Sequence, residues 1–408
     1  MNVAIVSIGD ELMNGFTVDT NSSWIAMKLL EYKSLDIISK ITVKDDIHDI
    51  KNNLDYLIEK NINYIFITGG IGPTHDDITK KALASYFDTN LTVSAQYYTR
   101  LKTFFKNKNI KITSNLKSQA QILENSIPIS NRYGTALGMK IEYKNSIIFV
   151  LPGVPKEVKG MIEEEIFPSY LSPILKKEKK HITLLTTGIY ESKLFEILEN
   201  TINKNSDNFK VSFLPKYTGV SIRLSKNKKS ADLYRFKDAV AEKIGEYIYG
   251  LDSQKMEEIV AEKLLNAGLT IAVAESCTGG YISKKLTDVP GSSGYFKGSI
   301  VAYDNRIKKE FLDISDQLLD NNGAVSSEVA IAMAENIRNK FKADIGVSTT
   351  GISGPTGSSN HKPVGLIYIA ISTKKEKIIK KFNLIPRRKE HRNIAMHTTL
   401  NMLRLLIK

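Results

Sequence analysis

The first part of the chain alternates short apolar runs with amphipathic segments. Four of the apolar runs predict buried strands: residues 3–8, 37–42, 64–68 and 147–151. Helical spacing of apolar side chains predicts helices between them: residues 21–32 and 46–59, with further helices beginning near Ile78 and Lys156. Such alternation favours a doubly wound, mostly parallel sheet, which binds its ligands beyond the carboxyl ends of the strands.

The order of elements changes after residue 180. Strand, helix, two strands and a helix follow one another up to residue 250, which predicts a small α+β domain. A helix at 255–266 then opens a second alternating region with five predicted strands: residues 269–274, 298–303, 345–349, 366–371 and 378–382. Its other predicted helices are at residues 281–286, 326–341 and 390–406. We therefore predict three domains: residues 1–168, 180–250 and 254–408, with a linker over residues 168–180.

Composition places the chain among ordinary globular proteins. Its 408 residues are 42% hydrophobic and 25% charged. No apolar run approaches the roughly 18 residues that a membrane-spanning helix needs. The single cysteine, Cys277, excludes an intramolecular disulfide framework and a cysteine-based zinc site. We therefore expect a cytoplasmic protein with no membrane partner.

The net charge of +13 is compatible with nucleic acid, anionic lipid or small anionic substrates. Many of the lysines are spread among asparagine and isoleucine, a pattern typical of solvated surface loops. The run over residues 374–392 is more concentrated and lies near the start of the last predicted helix. Its arginines Arg387, Arg388 and Arg392 make it a candidate phosphate site, and Arg388 and Arg392 lie one helical turn apart.

The most informative segment for function is residues 272–280, Ala-Val-Ala-Glu-Ser-Cys-Thr-Gly-Gly. It places Ser276 at the carboxyl end of a buried strand, where a following helix would direct its N-terminal amides at a bound oxyanion or phosphate. An ordinary turn with a helix cap has the same pattern. Cys277 competes with Ser276 as a nucleophile, but alternation along an extended chain lets only one of them face the site.

A nucleophilic serine needs a base, and the six histidines lie outside the predicted strand ends. Lys308 is the better candidate. Neighbouring cations such as Arg306 and Lys309, together with burial, would lower the pKa of its amine, and only a neutral amine can accept a proton from serine. A solvated helix lysine is the alternative.

Six motifs of the C-terminal region resemble the CinA family: residues 275–280, 291–293, 303–308, 323–326, 351–355 and 362–365. The resemblance implies hydrolysis of nicotinamide mononucleotide to nicotinic acid mononucleotide and ammonia, without a cofactor. It makes Ser276 the nucleophile and Lys308 the base, assisted by Tyr303. It further assigns substrate contacts to the following residues: Cys277, Thr278, Gly279, Gly280, Asn305, Gly351, Gly354 and Arg388. Thr356 departs from the family, which usually has a small or acidic residue there.

The N-terminal region resembles the other half of CinA proteins, which is similar to molybdopterin-binding domains. The resemblance assigns nucleotide contacts to glycine-rich strand ends: Gly9, Gly69, Gly70, Gly72, Thr74 and Gly153. It implies hydrolysis of ADP-ribose with a divalent ion (Mg, Mn, Co or Ni) held by Asp45 and Asp77. Alternatively, Asp77 caps the helix that begins near Ile78. Asp10 stands where the family has threonine.

The middle region resembles a KH-type module but lacks the Gly-x-x-Gly loop that clamps a nucleic-acid backbone. We therefore expect a spacer or dimer element, a homodimeric protein and no nucleic-acid partner. The alternative function is an adaptor in competence or DNA repair that binds recombination proteins or nucleic acid.

Overall fold

The computed structural model describes residues 1–32, 34–109, 111, 116–228 and 230–407. The predicted C-terminal boundary at Lys408 therefore falls outside the described residues. The chain divides into two compact units, Met1–Lys180 and His181–Lys408. Within the described residues, none of the helices combines the length and the apolar character that crossing a bilayer requires.

The first unit is a six-stranded sheet with helices on both faces, plus a short β4–β5 ladder. Its strands are β1 Asn2–Ile8, β2 Asp36–Val43, β3 Tyr64–Thr68, β4 Leu91–Val93, β5 Gln121–Leu123, β6 Ile127–Ile129, β7 Gly138–Tyr143 and β8 Ser146–Leu151. Its helices are α1 Asp10–Met13, α2 Thr20–Leu29, α3 Ile47–Glu59, α4 Thr79–Tyr86, α5 Ala95–Asn107, α6 Leu116–Gln119 and α7 Pro155–Met161. The sheet order β2-β1-β3-β8-β7-β6 is parallel through β8 and antiparallel beyond it.

The central strands of this sheet are apolar on both faces because helices cover both. All five residues of β3 are buried, and so are six of the seven in β1. Continuous apolar runs of this kind are the mark of a covered parallel sheet. The parallel register brings the carboxyl ends of four strands to one edge, where residues Ile8, Val43, Thr68 and Leu151 lie.

The predicted linker over residues 168–180 is wrong. After α7 the chain continues as a wider, π-type helix, Ile162–Leu171, with Pro168 inside it. Leu171 and Leu175 are buried against the first unit, and Lys177 pairs with Tyr32 in a β-bridge. Burial of these leucines outweighs the local pattern that suggested the linker, a Ser-Pro pair and a lysine run.

The middle segment opens the second unit. Its elements are β9 His181–Thr186, α8 Glu191–Asn203, β10 Phe209–Lys216, β11 Gly219–Lys226, α9 Leu233–Ile244 and β12 Ile248–Leu251. The antiparallel order β10-β11-β9-β12 places β11 between β9 and β10, a split β-α-β arrangement. Both helices pack on one face of the sheet through residues such as Leu194 and Phe236.

The C-terminal segment forms a five-stranded sheet with helices on both faces. Its strands are β13 Ile271–Glu275, β14 Phe296–Val301, β15 Ile345–Gly351, β16 Leu366–Ser372 and β17 Lys377–Asn383. Its helices are α10 Met256–Asn266, α11 Tyr281–Thr287, α12 Asn305–Leu312, α13 Asp316–Asn322, α14 Ser327–Lys340 and α15 Arg388–Leu406. The order is β14-β13-β15-β16-β17, parallel among the first three strands and antiparallel afterwards.

The register of this sheet explains where its chemistry lies. Glu275 at the end of β13 pairs with Val301 of β14 on one side and with Thr349 of β15 on the other. The segments that follow these three strands therefore leave the sheet side by side, as the parallel arrangement requires. The predicted fold class, an α/β N-terminal domain, a small α+β middle domain and an α/β C-terminal domain, is confirmed.

Candidate active site

The nucleophile candidate lies where β13 turns toward α11. The backbone N–H of Ser276 donates to the carbonyl of Thr349 at 3.0 Å, which holds the serine against the neighbouring strand. Ser276 is 8% exposed. Gly279 and Gly280 have φ values of 59° and 87°, a left-handed conformation that glycine adopts at no steric cost. The two glycines thus allow the chain to turn sharply directly after the serine.

Lys308 lies on the second turn of α12, and its side chain is almost completely buried. Its Nζ is 3.4 Å from the Oγ of Ser276. The same nitrogen donates to the carbonyl oxygens of Ala302 at 2.8 Å and Tyr303 at 3.2 Å. Burial lowers the pKa of Lys308 below that of an ordinary lysine, and Asp304 opposes this shift. Neighbouring cations were expected to lower the pKa of Lys308 as well. Among the described residues, burial lowers this pKa and no cation contributes.

Cys277 directly follows Ser276 and is 5% exposed. Its side chain is buried within the apolar core beneath the sheet. This burial raises the pKa of its thiol to about 12. A thiol with such a pKa carries almost no thiolate at neutral pH, so Cys277 is unsuited to act as a nucleophile. Any substrate contact of Cys277 falls to its backbone.

The side chain of Thr278 is fully buried and its Oγ1 is 2.7 Å from the Oγ1 of Thr349. The amide of Gly279 donates to the carbonyl of Ser276 at 3.1 Å. No described residue accepts a hydrogen bond from the amides of Thr278 or Gly280. The amide of Cys277 likewise donates to no other described residue, so these three N–H groups are available to an oxyanion beside Ser276.

The expectation that the N-terminal amides of α11 face a ligand is wrong for two of them. The amides of Ile282 and Ser283 donate to the carboxylate of Glu275 at 3.1 and 2.8 Å, and the Ser283 hydroxyl donates to it at 2.6 Å. Glu275 is fully buried. A carboxylate at a helix N-terminus satisfies amides that have no partner within the helix, so this residue caps α11 from inside the protein.

Arg388 connects three parts of the candidate site. Its guanidinium donates to the carbonyl of Gly354 at 3.1 Å and to the phenol oxygen of Tyr303 at 2.9 Å. The Tyr303 side chain is 57% exposed. Two other predicted contact residues lie at the neighbouring strand ends: Gly351 ends β15, and Asn305 is exposed at the start of α12.

Arg392 belongs to the basic run that predicted a phosphate site, but the expected substrate contacts did not include it. Its Nε and Nη2 both donate to the carbonyl of Thr278, at 3.2 and 2.8 Å. A Cβ at Gly279 would lie 3.2 Å from Nη2, so this arginine packs closely over the turn. One helical turn separates Arg392 from Arg388, and this spacing on a helix was a signal in the sequence.

His391 lies between the two arginines on α15 and is fully buried. Its Nδ1 is 2.9 Å from the Oγ of Ser353, which is buried in the loop that carries Gly354. Burial lowers the pKa of His391. The pair joins α15 to the loop after β15.

A pocket of about 480 Å³ lies beside this network. Five residues line it: Tyr281, Arg388, Lys389, Arg392 and Asn393. Three of the five are cationic, and Arg388 and Arg392 can present planar donors to a phosphate. The pocket adjoins the nucleophile turn through the bonds from Arg392 to Thr278. The C-terminal region thus combines a serine beside a buried amine with an anion-binding pocket.

A second pocket, of about 690 Å³, lies at the carboxyl edge of the first sheet, and we call it the N-terminal pocket. The predicted glycines and threonine line it: Gly9, Gly69, Gly70, Gly72, Thr74 and Gly153. Their expected role as an anion cradle is only partly possible. Protein acceptors already engage the amides of Gly9, Gly69, Gly72 and Thr74.

Asp45 and Asp77, the predicted metal ligands, both line the N-terminal pocket, and both already accept hydrogen bonds from the protein. Asp77 accepts hydrogen bonds from the amides of Gly72 and Thr74 and from the Thr74 hydroxyl. Asp45 accepts from the amide of Asp10 at 3.0 Å. Nowhere in the described part of the chain do three or more His, Cys, Asp or Glu side chains come together as metal ligands. The bonds from Gly72 and Thr74 make Asp77 a cap of this loop. The alternative that Asp77 caps the following helix is wrong, because α4 has Ile78 at its N-cap position and no side-chain cap bond.

Comparisons with known proteins cover nearly the whole chain. Residues 253–407 match the family described as "CinA C-terminal domain", residues 4–176 the "Probable molybdopterin binding domain" and residues 181–250 the "Damage-inducible protein CinA KH domain". A CinA-like protein of Dictyoglomus thermophilum is 36% identical, with 100% of this chain and 98% of the relative covered. A CinA-like protein of Cytophaga hutchinsonii is 35% identical, with 99% and 97% covered.

A solved structure, the competence/damage inducible protein CihA from Agrobacterium tumefaciens, is 34% identical; 38% of this chain and 96% of that chain are covered, with a TM-score of 0.37. The full-length relatives share all three domains in sequence, and the identities extend over more than nine-tenths of both partners. The chain belongs to the CinA family of competence/damage-inducible proteins.

Proposed function

We propose that the C-terminal domain hydrolyses the carboxamide of nicotinamide mononucleotide to nicotinic acid mononucleotide and ammonia. The observation that carries the proposal is a buried amine 3.4 Å from a serine hydroxyl, with a cationic pocket beside both. The CinA resemblance suggests the substrate, which unites an amide with a phosphomonoester. The pocket at Arg388 and Arg392 suits the phosphate.

The hydrogen bonds of Lys308 support its role as a base. A neutral amine has two N–H donors and one lone pair. The carbonyls of Ala302 and Tyr303 take the two donors, which leaves the lone pair for the hydroxyl of Ser276. Burial lowers the pKa of Lys308 and so favours this neutral form.

The reaction follows from these positions. The Oγ of Ser276 attacks the carboxamide carbon while Lys308 takes its proton, and the free amides that follow Ser276, those of Cys277, Thr278 and Gly280, stabilise the oxyanion. Lys308 then protonates the departing nitrogen, which leaves as ammonia. The acyl group remains on Ser276 as an ester. A water molecule, deprotonated by the same amine, hydrolyses the ester and restores the hydroxyl. Each oxyanion donor contributes about 3 kcal/mol to such reactions.

Ammonia release from nicotinamide mononucleotide tests the proposal. We expect turnover by the full chain, loss of turnover in Ser276→Ala and retained turnover in Cys277→Ala, whose thiol lies in the core. Cys277→Ala is the matched control, since it alters the adjacent residue and deletes a single atom. Folded protein that releases no ammonia rejects the amidase proposal. A loss confined to Cys277→Ala rejects Ser276 as the nucleophile and assigns that role to the thiol.

A second activity is proposed for the N-terminal domain, hydrolysis of ADP-ribose to AMP and ribose 5-phosphate. The N-terminal pocket supports it, because its size suits a nucleotide and it lies where doubly wound sheets bind ligands. AMP release is measured with Mg²⁺, Mn²⁺, Co²⁺ or Ni²⁺ and with a chelator. Asp77→Ala should abolish AMP release because the loop of Gly72 and Thr74 loses its cap. No AMP release with any of the four ions rejects this activity.

A further inference from the structure

Two adjacent contacts join the first turn of α15 to the loop that follows β15. Arg388 donates to the carbonyl of Gly354 at 3.1 Å, and the Nδ1 of His391 is 2.9 Å from the Oγ of Ser353. Residues three apart are neighbours on a helix surface, and Ser353 and Gly354 are consecutive, so the two contacts lie side by side. The carbonyl that Arg388 uses is therefore held next to the His391 contact.

The contact between His391 and Ser353 is buried, whereas the chain beyond it is not. His391 is fully buried and Ser353 is 4% exposed. Gly354 is also buried, but every residue from 355 to 361 is exposed. Because an exposed segment offers little packing, the hydrogen bond from α15 to Ser353 holds the last buried part of this loop in place.

The carbonyl of Gly354 matters because it orients Arg388. This arginine lines the pocket of about 480 Å³. Of the five N–H donors of a guanidinium, one bonds to Gly354 and one to the phenol oxygen of Tyr303, which leaves three for a ligand. Since the group is planar and rigid, the two protein acceptors fix the directions of the three remaining donors. A displaced carbonyl would turn all of them away from a bound phosphate.

We propose that His391 is a positioning residue: through Ser353 it holds the carbonyl that orients Arg388, and so sets the preference of the C-terminal site for a phosphomonoester. His391 itself does not touch the ligand, because its side chain has no exposed surface. The inference rests on the proposed phosphate site at Arg388, but it does not require amide hydrolysis.

The test measures equilibrium dissociation constants by calorimetry. The protein is the full chain with Ser276→Ala, which leaves bound substrate intact. The probes are nicotinamide mononucleotide, nicotinamide riboside, which lacks the phosphate, and ribose 5-phosphate, which lacks the amide. Adding Ser353→Ala, which deletes a single oxygen atom, should weaken the two phosphorylated probes about two- to tenfold, as the loss of one hydrogen bond predicts. Binding of the riboside should not change.

Substitutions of His391 separate the hydrogen bond from the bulk of the side chain. His391→Leu should weaken the phosphorylated probes as Ser353→Ala does, and the two together should weaken them no further, because both break the same bond. His391→Asn should restore their binding, since its amide nitrogen can donate to the Oγ of Ser353 from the position of Nδ1. If His391→Leu does not fold, Ser353→Ala and His391→Asn still decide the outcome.

His397→Leu is the matched control. His397 lies on the same helix, is 8% exposed and packs against the ring of Tyr249 at 5.3 Å, but it does not line the pocket. Its loss should leave the ratio between the dissociation constants of riboside and mononucleotide unchanged. The inference is overturned if His397→Leu changes this ratio as much as Ser353→Ala does. An undiminished phosphate preference in Ser353→Ala, or no such preference in protein with both residues intact, also overturns it.

These results separate the inference from the proposed amidase. A protein whose phosphate preference depends on Ser353 and His391 but which releases no ammonia retains the inference and loses the activity. Binding of ribose 5-phosphate that depends on this pair, without binding of the mononucleotide, has the same meaning. A protein that releases ammonia while Ser353→Ala keeps the full phosphate preference loses the inference alone.

Discussion

Replacing Lys308 with alanine tests the proton acceptor directly. The substitution removes the amine 3.4 Å from Ser276, while the serine backbone keeps its bond to Thr349. The nucleophile and its turn therefore remain in place without a base. Loss of a general base typically costs about 10²- to 10⁴-fold in rate. At about 1.36 kcal/mol for each tenfold change, this loss in kcat for nicotinamide mononucleotide corresponds to a rise of about 3–5 kcal/mol in the activation free energy.

A small amine added to the assay should restore part of the activity. Lys308 is 1% exposed, so Lys308→Ala leaves a cavity beside Ser276 that methylamine or ethylamine can enter. Only the neutral form of the added amine accepts a proton, so rescue should increase as the pH rises toward the pKa of that amine. The assay measures ammonia release at several pH values and amine concentrations.

Lys309→Ala is the control for lost charge. Lys309 is the next residue on α12 and makes a surface ion pair with Asp316 at 2.8 Å. An exposed pair of this kind contributes little, so kcat should stay within about twofold of the parent. The reasoning is refuted if Lys308→Ala keeps more than a tenth of the activity, or if rescue is strongest at low pH.

Three further predictions concern the same domain. First, kcat/KM should rise with pH through a pKa lower than that of an ordinary lysine, because protonated Lys308 cannot act as a base; a pH–rate profile that falls over this range contradicts it. Second, Glu275→Gln should lower the free energy of unfolding in urea by about 1–3 kcal/mol, since it weakens the buried cap of α11, whereas exposed Glu310→Gln should not. Third, Arg392→Lys keeps the charge but loses one of two bonds to Thr278, so kcat should fall about tenfold with KM within threefold; an unchanged kcat excludes a positioning role.

Hydrophobic patterning was sufficient for most of the fold. The predicted strand at residues 64–68 is β3 to the residue, and the helix predicted at 46–59 is α3 with one residue fewer. The pattern failed over residues 168–180, because a local run of serine, proline and lysine does not reveal the burial of Leu171 and Leu175 against distant strands.

Glycine-rich turns were the least reliable guide to chemistry. Residues 69–77 have the composition of an anion cradle, yet Asp77 occupies the amides of Gly72 and Thr74. Similarly, Glu275 occupies two amides of α11. In both places a carboxylate of the protein is the anion, and sequence spacing does not tell whether an amide will donate to a ligand or to a side chain.

By itself, the sequence determined the order of elements and the strand ends, and so the placing of Ser276 and Lys308 at one edge of a sheet, because alternating patterns and parallel connections leave few arrangements. Only the tertiary structure decided which polar groups are already satisfied. It assigned the amine of Lys308 to two carbonyls and the serine, the thiol of Cys277 to the core and both donors of Arg392 to Thr278. The physical reason is that burial and hydrogen-bond partners depend on residues far apart in the chain. These contacts set the pKa values of side chains and decide which hydrogen-bonding groups remain without a partner.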